Sequence, residues 1–240
     1  MATPPPAKRA KIDDERTFQQ AMGSEVVELI VGPEKKKFIV HKDLLCSKVP
    51  YFEKMFKGGY SEATNNSAAF PEDNVECFDL LLGWIYNGRL RALTADTKNA
   101  NGVRVISWSM SDFYSFTDKI CLPDLQDYAL DLYINMAEKG NTLPDVSHIK
   151  ELYKCSTANS GIRKFASASF RKALTLQDEN LWLMDDMQKL LAENLDLRVD
   201  FLTSIREGEE VKDPRQVPRC TFHQHGDRKG CYLEVGKETK

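Results

Sequence analysis

The segment 26–57 constrains the fold of this chain more than any other part of the sequence. Its first half holds two apolar runs, 26–32 and 37–40, on either side of a turn that contains a proline. Such a pair of runs predicts a β-hairpin. Its second half, 41–57, predicts two short helices that join at Pro50, where a helix tolerates a missing N–H. A hairpin followed at once by two short helices predicts a mixed α and β domain.

The residues after this segment predict one more strand and a buried helix. A short strand is expected at 68–70 and an apolar helix at 75–86. Asp73 is the predicted N-cap of that helix, with Glu76 in the capping-box position three residues later. The following stretch, 92–105, is polar and is expected to be an inserted loop.

From residue 109 onward the chain shows helical periodicity alone. Helices are predicted at 109–120 and 123–138, and a helical extension is predicted at 142–207. The extension contains four apolar stripes, and each is expected to be buried against a neighbouring helix. The last of these stripes consists of Leu195, Val199, Leu202 and Ile205.

The two ends of the sequence have a different character. Residues 1–16 are rich in proline and charge, so disorder is expected there. A short helix is predicted at 14–22, where Gly23 stops it. Residues 208–240 are charged and predict an irregular tail that contains cysteine and histidine.

Composition excludes several classes of protein. The net charge of −3 is small for 240 residues, so direct binding to nucleic acid or to an anionic membrane is not expected. No apolar run approaches the ~20 residues of a membrane helix. The first residues lack the apolar core of a secretion signal, so an intracellular protein is expected. The six cysteines are then expected to be free thiols or ligands rather than disulfides.

A compact basic segment lies near the start of the chain. Lys8, Arg9 and Lys11 follow a proline and precede an acidic residue. Such a segment is typical of a nuclear import signal, because an extended basic peptide docks in an acidic groove of its receptor. The alternative is a solvated basic patch without this role.

Two cysteines and two histidines cluster near the other end of the chain. Cys220, His223, His225 and Cys231 offer four soft or borderline ligands within twelve residues, which is enough for a tetrahedral zinc site. Such a site would be structural, since the four side chains leave no position open for water. The alternative is a chance cluster in an unstructured tail.

Residues 24–138 resemble a BTB/POZ domain, most clearly over 25–92. The resemblance is carried by a set of residues in the same order as in the family. The sequence of residues 40–56 is most similar to that of the BTB proteins of filamentous fungi. The residues that carry it are His41, Lys42, Leu44, Leu45, Pro50, Phe52, Phe56, Tyr86 and Gly88.

The resemblance implies an α+β fold that is mostly helical, with a short sheet flanking a helical cluster and an all-helical extension after it. It also implies protein–protein interaction without catalysis, as a homodimer, a heteromer or a complex with cullin-3. One specific version is a substrate adaptor of a cullin-3 ubiquitin ligase. The alternative is a transcription-linked regulator in the nucleus that uses the domain for assembly. Either version places the protein in the nucleus, the cytoplasm or both.

Two further roles follow from the resemblance. Many members of the family hold an acidic and a basic residue in the pocket at the base of their dimer. Lys42 matches the basic position, and the acidic position falls on Val26, or on Glu25 if the register shifts by one. His41 has no acid or nucleophile at a meaningful spacing, so a structural role is expected for it.

Overall fold

The computed structural model describes residues 17–98, 104–176, 182–208, 210–224 and 231. The chain divides into two compact units, Met1–Glu72 and Asp73–Lys240. They are called the amino-terminal and the carboxy-terminal unit below, and each is described by itself.

The amino-terminal unit is built on a three-stranded sheet in the order β2-β1-β3. The hairpin strands β1 and β2 are antiparallel, and β3 lies parallel to β1 on its other side. The described elements of this unit are α1 (Phe18–Met22), β1 (Val26–Val31), β2 (Lys36–His41), α2 (Lys42–Lys48), α3 (Pro50–Lys57), α4 (Ser61–Asn65) and β3 (Ser67–Phe70).

The core of this unit lies against one face of the sheet. Alternate residues of β1 are buried because successive side chains of a strand point to opposite faces. Helix α3 contributes Phe52, which stacks on Phe56 and meets Phe70 edge to face, with ring centroids 6.3 and 6.0 Å apart. The core side chains from the first two strands and α2 are Val27, Leu29, Val31, Val40, Leu44, Leu45 and Cys46.

The predicted hairpin, paired helices and third strand are confirmed in this unit. Pro50 is the first residue of α3, a position where the missing N–H of proline costs no intrahelical hydrogen bond. Helix α1 ends at Gly23, whose φ of 70° is a conformation that glycine adopts without steric cost. Thr17 begins this helix with a capping box completed by Gln20.

The carboxy-terminal unit is mostly helical, and its described residues add one small hairpin. Its described elements are α5 (Val75–Asn87), β4 (Thr94–Lys98), β5 (Arg104–Ile106), α6 (Met110–Lys119), α7 (Pro123–Gly140), α8 (Val146–Lys154), α9 (Gly161–Ala173), α10 (Met184–Glu193), α11 (Leu195–Arg206) and the 3₁₀ turn Arg219–Thr221. In both units, none of the described helices has the length and apolar character that crossing a membrane requires.

Two local predictions in this unit are wrong. Asn74, not Asp73, is the N-cap of α5, since its side chain accepts the N–H of Glu76. Asp73 instead pairs with Lys119 at 2.6 Å. The expected loop at 92–105 contains the antiparallel strands β4 and β5. A two-stranded hairpin is held by backbone hydrogen bonds, which polar residues form as well as apolar ones, so the apolar pattern gave no sign of it.

The predicted inward stripe of α11 is also wrong, because its four apolar residues face solvent. Leu195 is 60% exposed, and the other three residues are exposed to a similar degree. The helix instead turns inward the face that carries Leu197 and Phe201, whose ring lies 5.3 Å from that of Phe170. Two polar anchors on α11, Asp196 and Asp200, fix this orientation, as described below.

Candidate functional site

A buried arginine and a tyrosine hold α11 against α8 and α9. Arg163 Nη1 donates to Asp196 Oδ2 at 2.8 Å, and its Nη2 donates to the carbonyls of both Tyr153 and Ser156. Tyr153 Oη donates to Asp200 Oδ2 at 2.8 Å. Both carboxylates of α11 are thus bound by side chains of α8 and α9, although Asp196 stays 59% exposed, and the apolar stripe of α11 is left on the outside.

In the amino-terminal unit, Lys42 lies in a small polar cluster. Its Nζ donates to Glu25 Oε1 at 3.2 Å and to Asn66 Oδ1 at 2.9 Å, and Asn66 Nδ2 donates to the same Glu25 oxygen. The hydrogen bond from Asn66, followed by that from Lys42, lowers the pKa of Glu25 below its ordinary value. Of the two residues considered for the acidic position, Glu25 is the one that pairs with Lys42, whereas Val26 is 44% exposed.

The other residues of the BTB signature form cores and caps. Leu44, Leu45, Phe52 and Phe56 are buried. His41 ends β2 and is the N-cap residue of α2, although its side chain makes no capping hydrogen bond. Tyr86 is half-buried in α5, and Gly88 ends that helix with a φ of 69°. These positions maintain the fold.

The cysteine and histidine cluster is assembled in the carboxy-terminal unit. One ligand atom from each of Cys220, His223 and Cys231 lies within 4.8 Å of the other two. The two Sγ atoms are 3.8 Å apart, and Cys231 Sγ is 3.4 Å from His223 Nδ1. The fourth predicted ligand, His225, lies outside the described residues.

The chain around this cluster is anchored on α7. His223 Nε2 lies 3.1 Å from Asp131 Oδ1, and both side chains are almost fully buried. The N–H of Gln224 donates to both carboxylate oxygens of Asp127 at 3.1 Å. Gln224 Nε2 donates to Tyr114 Oη at 3.2 Å. His223 and Gln224 thus bind the two buried carboxylates of α7.

Residues 213–222, which come just before these two in the chain, add apolar and charged contacts. The ring of Phe222 meets that of Phe165 edge to face, with centroids 5.5 Å apart. Arg219 Nη2 donates to Glu138 Oε2 at 2.6 Å. Arg215 pairs with Asp213 at 2.7 Å and lowers the pKa of that carboxyl. Residues 210–224 therefore form a docked segment, named here the carboxy-terminal strap.

The two α7 residues that bind the strap, Asp127 and Asp131, were not predicted from the sequence. Asp127 and Asp131 are 1% and 4% exposed, although aspartates are rarely buried without a partner. Their spacing of one helical turn within an apolar helix is the signal that points to them, because carboxylates at i and i+4 share a face. Buried carboxylates require partners, and the strap supplies these partners.

A cleft of about 380 Å³ lies elsewhere in the same unit. Trp108 and Tyr133 contribute aromatic walls. The Ser111 hydroxyl donates to Glu151 at 2.5 Å, whereas His148 pairs with Asp145 at 3.0 Å. The serine and the histidine therefore belong to two separate pairs. The basic residues Lys8, Arg9 and Lys11 lie outside the described residues.

Comparison with known proteins gives matches over the first part of the chain. Residues 18–107 match the family model of the BTB/POZ domain. BTB/POZ domain-containing protein 9 of Bos taurus is 31% identical over 107 residues, and the proteins of that name from Rattus norvegicus and Homo sapiens are each 30% identical. The match covers 44% of this chain and 16% of each relative, so the chain spans only a small part of their length. These relatives are mammalian, so the expected similarity to fungal proteins stays a prediction, as do the predicted domain boundaries.

Proposed function

Because the chain carries a BTB/POZ domain, a fold of protein–protein interaction modules, we propose that it is a non-enzymatic adaptor. In this proposal the domain binds cullin-3, and the helices at 142–207 bind a second protein that is brought to the ubiquitin ligase. The cullin-3 part rests on what the resemblance to the family implies.

The observation that supports a second binding surface is the outer face of α11. Val199 is 53% exposed and Leu202 is 55% exposed, and with Leu195 and Ile205 they form a continuous apolar stripe. Contiguous exposed apolar surface on a soluble protein marks a contact site more often than single exposed residues do. An amphipathic groove or helix on a partner fits such a stripe.

The cullin-3 step is tested with purified full-length chain and the amino-terminal domain of cullin-3. We expect a complex that co-elutes in size-exclusion chromatography at micromolar concentrations. If the two proteins elute separately at these concentrations, the cullin-3 adaptor is refuted, although other adaptor functions are not.

The partner step is tested by affinity capture with matched variants of α11. Leu202→Asp places a charge in the apolar stripe, and Thr203→Asp places the same charge at an exposed residue outside it. Proteins that bind the stripe are captured by the wild type and by Thr203→Asp but are lost with Leu202→Asp. Equal capture by both variants would mean that the stripe is not the binding surface.

Self-association is a further part of the proposal. Glu25 and Lys42 form an ion pair at 3.2 Å, which supports the register in which Glu25 takes the family's acidic dimer position beside Lys42. Sedimentation equilibrium of the full chain measures the oligomeric state directly, and a homodimer is expected. A monomer across the micromolar range would limit the domain to contacts with other proteins.

The second candidate function is a transcription-linked regulator in the nucleus. It is favoured by Lys8, Arg9 and Lys11, which match a nuclear import pattern. Fusion of residues 1–16 to a cytoplasmic reporter tests the import step, and substitution of the three basic residues by alanine is the control. A reporter that stays in the cytoplasm with the native sequence rejects this candidate.

A further inference from the structure

The three described cysteine and histidine side chains have the spacing of ligands around one zinc ion. Zinc bonds of ~2.3 Å to sulfur and ~2.0 Å to nitrogen in a tetrahedron place two sulfurs about 3.8 Å apart and a sulfur and a nitrogen about 3.5 Å apart. The observed separations are 3.8 Å between the Sγ atoms of Cys220 and Cys231 and 3.4 Å between Cys231 Sγ and His223 Nδ1. These two separations match those around one zinc ion, and the third, between the ligand atoms of Cys220 and His223, is within 4.8 Å.

The local backbone explains how two of these ligands meet. Cys220 lies in the 3₁₀ turn Arg219–Thr221, and the N–H of His223 donates to its carbonyl at 3.3 Å. Side chains three residues apart point the same way in a 3₁₀ turn. The thiol and the imidazole are therefore presented on one side of the turn, where Cys231 meets them from a later part of the chain.

Asp131 supplies an independent sign that His223 is a ligand. The Asp131 carboxylate lies 3.1 Å from Nε2 of His223, and because a carboxylate accepts hydrogen bonds, this contact favours the tautomer with the proton on Nε2. This leaves the lone pair of Nδ1 directed at the two thiols. Ligand histidines in zinc sites commonly donate their other N–H to a carboxylate in this way, which fixes the ring and raises its basicity.

We propose that Cys220, His223 and Cys231 bind one structural zinc ion and that Asp131 is the positioning residue for His223. Two thiolates and an imidazole are soft and borderline ligands, which suit zinc better than magnesium or calcium. The sequence predicts His225 as the fourth ligand. The ion ties the carboxy-terminal strap to Cys231 and, through His223 and Asp131, to α7.

Metal content of the full chain is the first test. The chain is purified without chelator, and zinc is measured by mass spectrometry of the elements. We expect about one zinc per chain, and replacement by cobalt is expected to give the thiolate charge-transfer band and the intense visible bands of a tetrahedral site. A chain with less than about a tenth of a zinc, even after zinc is added back, overturns the proposal, as does iron in place of zinc.

Cysteine variants locate the site. Cys220→Ser and Cys231→Ser are expected to lose zinc, whereas Cys121→Ser, which alters an exposed cysteine outside the cluster, is expected to keep it. Far-ultraviolet circular dichroism shows whether each variant is folded. The cobalt spectrum of the wild type needs no variant, so it decides the question even if a cysteine variant does not fold.

The positioning role of Asp131 is tested by affinity. Asp131→Asn is expected to weaken zinc binding about 10- to 100-fold in a chelator competition, the usual effect of losing such a carboxylate. Asp124→Asn makes the same change at an exposed residue of the same helix and is expected to leave the affinity unchanged. The cobalt–thiolate band is expected to persist in Asp131→Asn, because both cysteines remain. Equal affinities in the two variants would remove Asp131 from the proposal.

Discussion

The contact between the first residue of α9 and the carboxy-terminal strap leads to a sharp prediction for Gly161→Ala. A Cβ atom at Gly161 would overlap the carbonyl oxygen of Phe222 and would lie 3.1 Å from Cδ2 of Leu130. The overlapping partner is backbone, which no side-chain rotation relieves. The two segments, α9 and the strap, must move apart by roughly 1.5 Å before the atoms reach van der Waals contact.

The loss of folding free energy in Gly161→Ala can be calculated for two outcomes, with the strap docked or detached. If the strap stays docked, overpacking of this kind costs about 1–3 kcal/mol. If the strap detaches, the chain loses the burial of Phe222, which is 3% exposed and contributes about 1.5–3 kcal/mol. Both routes give a loss of about 1–3 kcal/mol. For a chain of this size, each kcal/mol lowers the melting temperature by about 2–4 °C.

Thermal unfolding and hydrogen exchange together test this reasoning. Gly161→Ala is expected to melt earlier than the wild type and to exchange amide hydrogens faster in residues 213–224. Gly83→Ala in α5 is the matched control, because a Cβ there meets no atom within 4 Å and replaces a helical glycine. That control is expected to gain about 0.5–1 kcal/mol. If Gly161→Ala unfolds no earlier than the wild type and its strap exchanges no faster, the close packing of strap and helix is refuted.

Three other outcomes are expected. Arg163→Lys should lower the free energy of unfolding by about 2–3 kcal/mol in urea, because lysine cannot serve the arginine's separate acceptors; an unchanged midpoint would contradict this. The pKa of Asp213 is lowered by its hydrogen bonds from Arg215, so the stability it provides is complete above about pH 4 and is lost as pH falls through the folded pKa. Hydrogen exchange at low pH, compared with Asp213→Asn, measures this loss, and identical pH profiles would exclude it. Burial raises the pKa of Cys77 to about 12, so iodoacetamide should label exposed Cys121 long before Cys77, which mass spectrometry resolves.

The elements that the sequence predicted well are those set by neighbouring residues. The hairpin follows from two apolar runs and a turn, and α3 begins at Pro50 because proline suits that position. Helix α5 ends at Gly88 because glycine adopts a positive φ at a helix end. Each of these features depends on a few adjacent side chains, so the local pattern is sufficient.

The features that the sequence did not predict are those decided by distant residues. The outward stripe of α11 results from Arg163 and Tyr153, which bind Asp196 and Asp200 and so orient the helix against its apolar periodicity. Similarly, the burial of Asp131 depends on the strap far along the chain. The three described cysteine and histidine residues were predicted from their clustering in the sequence, but their orienting carboxylate was found only in the structure.

Docking of the carboxy-terminal strap has a consequence for the order of folding. The Asp131–His223 and Asp127–Gln224 contacts join residues 92 and 97 positions apart. Closing so long a loop loses more chain entropy than forming neighbouring helices, so these contacts are expected to form late. Interactions that are absent from the folding transition state slow unfolding without accelerating folding. The strap therefore acts mainly on the lifetime of the folded unit, and weakening it should shorten that lifetime while leaving the folding rate almost unchanged.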